Sequence, residues 1–193
     1  MSVHAQWEEF LSPEILKDKI ISASMTLIAY ELLKDSIIER IKDFYSNGFN
    51  QNGPIVDEEY QEQVVGLNKS ILYASLDWLK SHEVITEDYL LKFEKAKKAR
   101  NSLAHELSLL VSKGIDVDVG ESFDTIFFLL RKIEVWWIVN VELATNPDYN
   151  EEEVDVDGII PGPILSIQMM LLVLSGNQEL LKTYRSASRK NAD

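Results

Sequence analysis

The chain has 193 residues, 46% of them hydrophobic and 26% charged, which is typical of a globular protein with one domain and extensions. Its net charge of -13 disfavours a protein that coats nucleic acid by charge alone, although a small basic site on an acidic body stays open. The lack of cysteine excludes disulfides and thiolate metal sites. With no signal-peptide pattern at the N-terminus, we expect a cytoplasmic protein.

The first long helix is predicted to begin at Pro13. Ser12 offers a capping hydroxyl, Pro13 fixes φ at the first helical position, and Glu14 places an acid in the first turn. Apolar residues then recur at helical spacing until Asn47 and Gly48 end the run. The pattern therefore predicts one helix of about thirty residues or slightly more.

Three further helices are predicted before residue 146. After a loop at 48–55, Asp57 can cap a second helix, and Thr86 with two following acids opens a third that runs to Gly114. A fourth, apolar on several faces, is predicted to begin near Glu121 or Ser122. The apolar stripe of the second helix consists of Val64, Leu67, Ile71, Ala74 and Trp78.

The fold class follows from the spacing of apolar residues along the whole chain. We find no convincing alternation of period two, and therefore predict an all-α fold. Four long helices with short links favour an antiparallel up-and-down bundle with one or two short C-terminal helices. We place this bundle at residues 1–145.

The C-terminal part is divided into an acidic loop at 146–162 and a helical extension at 163–193, which we expect to pack on the same domain. Pro163 can start an apolar helix that ends at Gly176, and Asn177 can cap a last short helix. The most apolar segment, Ile159 to Leu174, is about 16 residues long and contains two prolines, so it is short of the roughly 20 that span a bilayer. We predict no membrane association.

The acidic loop partly resembles a calcium-binding loop. Glu153, Asp155, Asp157 and Gly158 fall at positions 1, 3, 5 and 6 of an EF-hand loop, but Ile164 stands where the bidentate Glu belongs. A solvated linker is the better interpretation. We predict no metal ion and no cofactor, because His and Cys clusters and phosphate-binding glycine loops are also missing from the sequence.

Two other groups of residues have simple structural explanations. Trp136 and Trp137 could form a ligand platform, but adjacent aromatics on an apolar helix favour core or dimer interface. His4 and His82 have no complementary partner in the sequence, so we predict that both are surface residues.

The segment KAKKARNSLAHEL, residues 95–107, brings Arg100, Asn101 and His105 together. An Arg four to six positions before a His is a weak signal, since chance gives about 0.2 such pairs per chain of this composition. Requiring the Asn directly after the Arg, four residues before the His, lowers the chance expectation to about 0.004. The combination is therefore informative.

Helical geometry separates these residues from the predicted core stripe of Ala96, Ala99, Leu103, Leu107 and Leu110. Asn101 and His105 lie one turn apart on the opposite side, facing water or another subunit. Arg100 falls at the edge of the stripe, so its long side chain must reach round to meet His105. The alternative stays open: Arg100 extends from the core edge to solvent, and His105 is an ordinary exposed residue.

Local charge favours an anionic ligand at this place. Residues 92–105 carry four Lys and one Arg against one Glu, a net charge of +4 in an acidic chain. Lys97 and Lys98 flank Asn101 and His105, so we predict that they bind substrate. A phosphodiester would meet a cationic strip that contains a titratable imidazole.

The sequence R-N-S-L-A-H in a long helix of an α-bundle resembles the RX4-6H motif of the HEPN superfamily, in which a polar residue, often Asn, follows the Arg. The motif covers six residues, and the helical pattern that is compatible with the HEPN fold covers roughly residues 10–145. Many HEPN proteins are metal-independent endoribonucleases of toxin-antitoxin and antiviral defence systems, whose site forms where two subunits meet. The resemblance implies that Arg100, Asn101 and His105 are catalytic in a homodimer that cuts RNA, with an antitoxin or defence-system partner.

One position differs from the pattern of some HEPN toxins. In those toxins a Tyr stands two residues after the His of the motif, and the antitoxin modifies that Tyr. Leu107 stands there in this chain, which puts that regulation in doubt. Two other functions stay open beside the nuclease. One is a non-catalytic HEPN-like module that binds RNA, nucleotide or protein, and the other is a plain helical interaction protein.

Overall fold

The computed structural model describes residues 3–51, 53–113, 118–147 and 154–190, without the side chains of residues 3, 6, 106–113 and 187–190. These residues form eight α-helices and one two-stranded hairpin, which confirms the predicted all-α class. The helices carry the core, while both strands lie mostly at the surface.

The chain begins with α1, Val3–Leu11, which the sequence did not predict, followed by α2, Pro13–Phe44. Helix α2 begins where the Ser-Pro-Glu signal predicts, with Pro13 in the first turn. Ser12 holds the capping position in an extended conformation, but its side chain makes no capping hydrogen bond. The fixed φ of Pro13 is therefore the better explanation of this start.

The segment predicted as a loop at 48–55 is a hairpin of β1, Ser46–Asn50, and β2, Gly53–Val56. Gly48 and Gly53 adopt φ of 82° and 114°, which favours glycine at both places. The strands are short and mostly exposed, so they carry no apolar alternation that a sequence pattern could detect.

The predicted second helix is interrupted. It consists of α3, Glu58–Gln63, a 3₁₀ turn, Val65–Leu67, and α4, Ile71–Ser81. Asp57 caps α3 as predicted, by accepting a hydrogen bond from the backbone N–H of Glu59. The prediction of a single continuous helix was wrong. The backbone of Asn68 is extended, and its side chain accepts a hydrogen bond from the backbone N–H of Ser70 just before α4.

Helix α5, Glu87–Lys113, carries the Arg-Asn-His motif, and α6, Val119–Trp137, continues into a π-helical segment, Ile138–Leu143. The cap of α6 is Asp118, whose carboxylate accepts from the backbone N–H of Glu121, so the helix begins slightly earlier than predicted.

Two helices follow residue 154, α7, Gly162–Leu174, and α8, Glu179–Lys190. Asn177 caps α8 as predicted, with its side-chain oxygen 2.8 Å from the backbone nitrogen of Glu179. Ile164 and Ile167 of α7 are buried in the main core. Within the described ranges no single helix is both long and apolar enough to cross a membrane; α7 with part of α8 reaches that length and composition only as a pair bent by 110°.

The main core lies where α2 packs against α4, α5 and α6. Trp137 is only 2% exposed, and its ring is parallel to that of Trp78 with the centroids 5.7 Å apart. Trp136 contacts both rings edge to face. Trp137 is thus a core residue, and the half-buried Trp136 packs against that core, which agrees with the prediction of core or interface.

One charged side chain, Glu134 of α6, lies inside this core at 1% exposure. Arg40 donates to both of its carboxylate oxygens, and the Ser36 hydroxyl donates to one of them. Arg40 also pairs with Glu142 in the π-helical segment at 2.8 Å. The hydrogen bonds from Arg40 to Glu134 raise the pKa of Arg40, and the pair joins α2 to α6.

Candidate functional site

Helix α5 positions the Arg-Asn-His motif by burying its opposite face. Ala96, Ala99 and Leu103 of the predicted stripe are buried, and Leu103 packs with Ala23 of α2. The predictions for Leu107 and Leu110 lie outside the described side chains.

Asn101 and His105 are both exposed on the outer side of α5, one turn apart. Among the described residues, His105 has no hydrogen-bond or ion-pair partner. The ring of His105 is therefore accessible from the outer side of the helix.

Arg100 points towards α2, where it meets Glu31. Its Nε and Nη2 atoms donate to the same carboxylate oxygen of Glu31, at 3.2 Å and 2.6 Å. Lys34 donates to the other oxygen of that carboxylate at 3.1 Å. Burial raises the pKa of Glu31, but the hydrogen bonds from Arg100 and Lys34 outweigh it, so the pKa lies below its ordinary value.

Two further contacts fix the guanidinium of Arg100. It lies over the ring of Tyr30, 5.6 Å from its centroid, and its Nη1 donates to the side-chain oxygen of Asn101 at 3.3 Å. Burial raises the pKa of the Tyr30 hydroxyl to about 12, with Arg100 opposing that shift. The described side chains show no bond between Arg100 and His105, so the long reach towards His105 is not made in a single chain.

The two lysines predicted to bind substrate differ in their surroundings. Lys98 is exposed and has no partner in the described part of the chain. Lys97 donates to the Tyr73 hydroxyl at 2.6 Å, and that hydroxyl donates to Glu94 at 2.6 Å. Only Lys98 is therefore immediately available to an arriving anion.

The cationic strip is weaker in space than along the sequence. Arg100 is paired with Glu31, and Lys92 is paired with Asp88 at 2.7 Å. Sequence reasoning missed Glu31, which lies 69 positions from Arg100 and on another helix. A local motif carries no signal for such a partner.

A shallow groove of about 380 Å³ lies beside Arg100, between α2 and α5. Its walls combine apolar side chains with both signs of charge. The lining residues are Leu27, Ile28, Glu31, Leu32, Asp35, Arg100 and Ala104.

The remaining histidines are at the surface, as predicted, although each has a partner. His4 lies 3.4 Å from Glu8, and the His82 ring stacks on Trp78 with the centroids 3.8 Å apart. No group of three His, Asp or Glu side chains in the described ranges is arranged to hold a metal ion. Of the calcium-loop positions, Glu153 lies outside those ranges, while Asp155 accepts a hydrogen bond from the backbone N–H of Gly158.

Comparison with protein-family models, curated proteins and solved structures finds no match to this chain.

Proposed function

We propose that this protein is a HEPN-like, metal-independent endoribonuclease that cuts single-stranded RNA as a homodimer, in a toxin-like or antiviral role in the cytoplasm. The observation that carries the proposal is the arrangement on α5. Asn101 and His105 are exposed one turn apart, and Arg100 donates to Asn101 from the adjoining position.

The residue types supply what RNA cleavage by its own 2'-hydroxyl requires. His105 takes the proton from the 2'-hydroxyl as the oxygen attacks phosphorus. The bond from phosphorus to the 5'-oxygen then breaks, and a second imidazole protonates that leaving oxygen. The products are a 2',3'-cyclic phosphate and a 5'-hydroxyl. Arg100 and Asn101 stabilise the charge that develops on the phosphorane.

A homodimer is part of this proposal because one chain presents one imidazole at the motif. Two copies of α5 that face each other would supply both a base and an acid. In such a site Arg100 would exchange part of its contact with Glu31 for a phosphate, which binds a guanidinium through the same donors.

The test is cleavage of single-stranded RNA by purified protein in EDTA, with the ends identified. We expect cyclic-phosphate ends, and we expect His105→Ala to reduce the rate by about 10²-fold or more while the fold is retained. His82→Ala is the matched control, because His82 is also exposed but lies in the turn before α5. Intact RNA across many substrates, or equal loss in both variants, would count against the proposal.

A second function is favoured by the Arg100–Glu31 pair, which holds Arg100 away from His105. In this alternative the chain is a non-catalytic helical module that binds RNA, nucleotide or a protein. His105→Ala would then weaken binding, and no cyclic-phosphate product would form with the wild type. Modification by an antitoxin at the usual Tyr is not part of either proposal, since Leu107 stands at that position.

A further inference from the structure

One side of helix α7 is exposed, and the residues along the middle of that side are all apolar. Leu165, Met169, Leu172 and Val173 are 47%, 43%, 43% and 59% exposed, although the helix contains no charged residue. They lie about 80–180° round the helix from Ile164, which is buried. Buried Ile164 and Ile167 anchor the helix by one face, so this second apolar face has no partner in the described part of the chain.

The exposed face continues onto α2. Ile20 and Ile28 are 42% and 39% exposed, and an apolar groove of about 520 Å³ lies between them and Met169 and Val173 of α7. A concave apolar groove bordered by an apolar ridge is a shape that a second helix can fill.

The exposed area is sufficient for a dimer. Six apolar side chains on this face, Ile20, Ile28 and the four of α7, together expose on the order of 500 Å². This area lies in the upper part of the range of areas found for the largest exposed apolar patch on a monomeric protein. A standard interface buries about 800 Å² per partner, about 65% of it apolar in homodimers, which again gives roughly 500 Å² of apolar area.

We infer that a second copy of this chain docks on the α2/α7 face, with α7 of each protomer packing into the groove of the other. The spacing of Leu165, Met169 and Leu172, at i, i+4 and i+7, is that of a helix that packs along another helix. An anionic lipid surface fits less well, because the protein carries a net charge of -13 and the groove is concave.

This inference takes from the proposed function only the expectation of a second copy, and it adds the surface through which the copies meet. Ile28 lines both the apolar groove and the groove beside Arg100. The docking face is therefore continuous with the surface next to the candidate site.

The experiment is light scattering and sedimentation of the full chain up to about 100 µM. We expect a wild-type dimer, and we expect Leu172→Glu to raise its dissociation constant at least about 100-fold, because the carboxylate would be buried without a partner. Leu91→Glu is the matched control, since Leu91 is 60% exposed on α5, outside the face, and should leave the dimer intact. Circular dichroism checks that both variants fold.

A second measurement uses the absence of cysteine. With Cys introduced singly at positions 165, 169, 172 and 173, oxidation should join two chains at one or more of these sites but not at position 91. A wild-type monomer at 100 µM, a dimer unaffected by Leu172→Glu, or monomers that bind vesicles of phosphatidylglycerol would each overturn the inference. A dimer that leaves RNA intact would contradict the nuclease alone, and an RNA-cutting dimer that Leu172→Glu leaves intact would contradict the docking face alone.

Discussion

Arg100 and Glu31 form an ion pair in which two guanidinium nitrogens share one carboxylate oxygen. The pair joins α5 to α2, and it aligns the remaining guanidinium nitrogen with Asn101. The residue that the motif assigns to phosphate is thus already held by an internal anion. In the proposed nuclease, Glu31 would compete with the RNA backbone for Arg100.

Glu31→Gln should strengthen phosphate binding. The amide keeps an acceptor for Arg100 but removes the negative charge, so the guanidinium becomes available to RNA. We expect tighter binding of a short single-stranded RNA by fluorescence anisotropy, with a larger effect at low salt. Glu39→Gln is the matched control, because Glu39 is also an exposed glutamate of α2 that pairs with a lysine. Equal affinity of both variants and the wild type would contradict a phosphate role for Arg100.

Arg100→Ala should remove cleavage without unfolding the protein. Loss of one donor to the developing charge costs about 10²–10³ in rate, whereas a half-exposed ion pair contributes about 1 kcal/mol or less to the free energy of unfolding. Single-turnover cleavage and urea denaturation measure the two effects separately. Arg131→Ala serves as control, since Arg131 donates to a backbone carbonyl at the surface. A variant that loses stability and activity in parallel would indicate a structural role only.

The stability that Glu31 contributes to the folded protein should fall as the pH is lowered. Its pKa lies below the ordinary value of 4.5, so the contribution is present above that value and is lost as the pH falls through the folded-state pKa. The wild type and Glu31→Gln should therefore differ in free energy of unfolding at pH 7 and converge as the pH falls below the folded-state pKa of Glu31. A difference that persists unchanged in acid would show that Glu31 acts through packing.

Arg40→Ala should be far more destabilising than the loss of a surface pair. It would leave Glu134 charged and buried with only the Ser36 hydroxyl as a donor, which costs about 3–5 kcal/mol. Lys42→Ala, which removes an exposed pair on the same helix, should change the free energy of unfolding by less than about 1 kcal/mol. Urea denaturation of both variants measures the contrast, and comparable small costs would contradict the role of Arg40 in holding the buried Glu134 side chain.

The elements that the sequence predicts correctly are those with local causes. Pro13 fixes the start of α2, Asp57 and Asn177 cap their helices, and the small and apolar residues of α5 define its buried face. The hairpin was missed because its short, exposed strands lack periodic apolar contrast. The interruption before α4 was missed because Val64, Leu67 and Ile71 keep helical spacing across it, while the extended backbone at Asn68 ends the turn.

The candidate site was predictable in outline only. Periodicity places Asn101 and His105 on the outer side of α5, since both positions follow from one helix. The direction of the Arg100 side chain depends on Glu31 and Tyr30 of α2. The hydrogen bond that Lys97 donates depends on Tyr73 of α4. Such partners are set by helix packing, which a single motif does not encode.

The parallel rings of Trp78 and Trp137 make the core directly visible to spectroscopy. Three of the four tryptophans lie in this one cluster between α4 and α6, and the fourth, Trp7, lies on α1. Intrinsic fluorescence and near-ultraviolet dichroism therefore report chiefly on the docking of α4 against α6. The Trp7→Phe variant would confine the tryptophan signal to the cluster and give an optical probe of core integrity for each variant above.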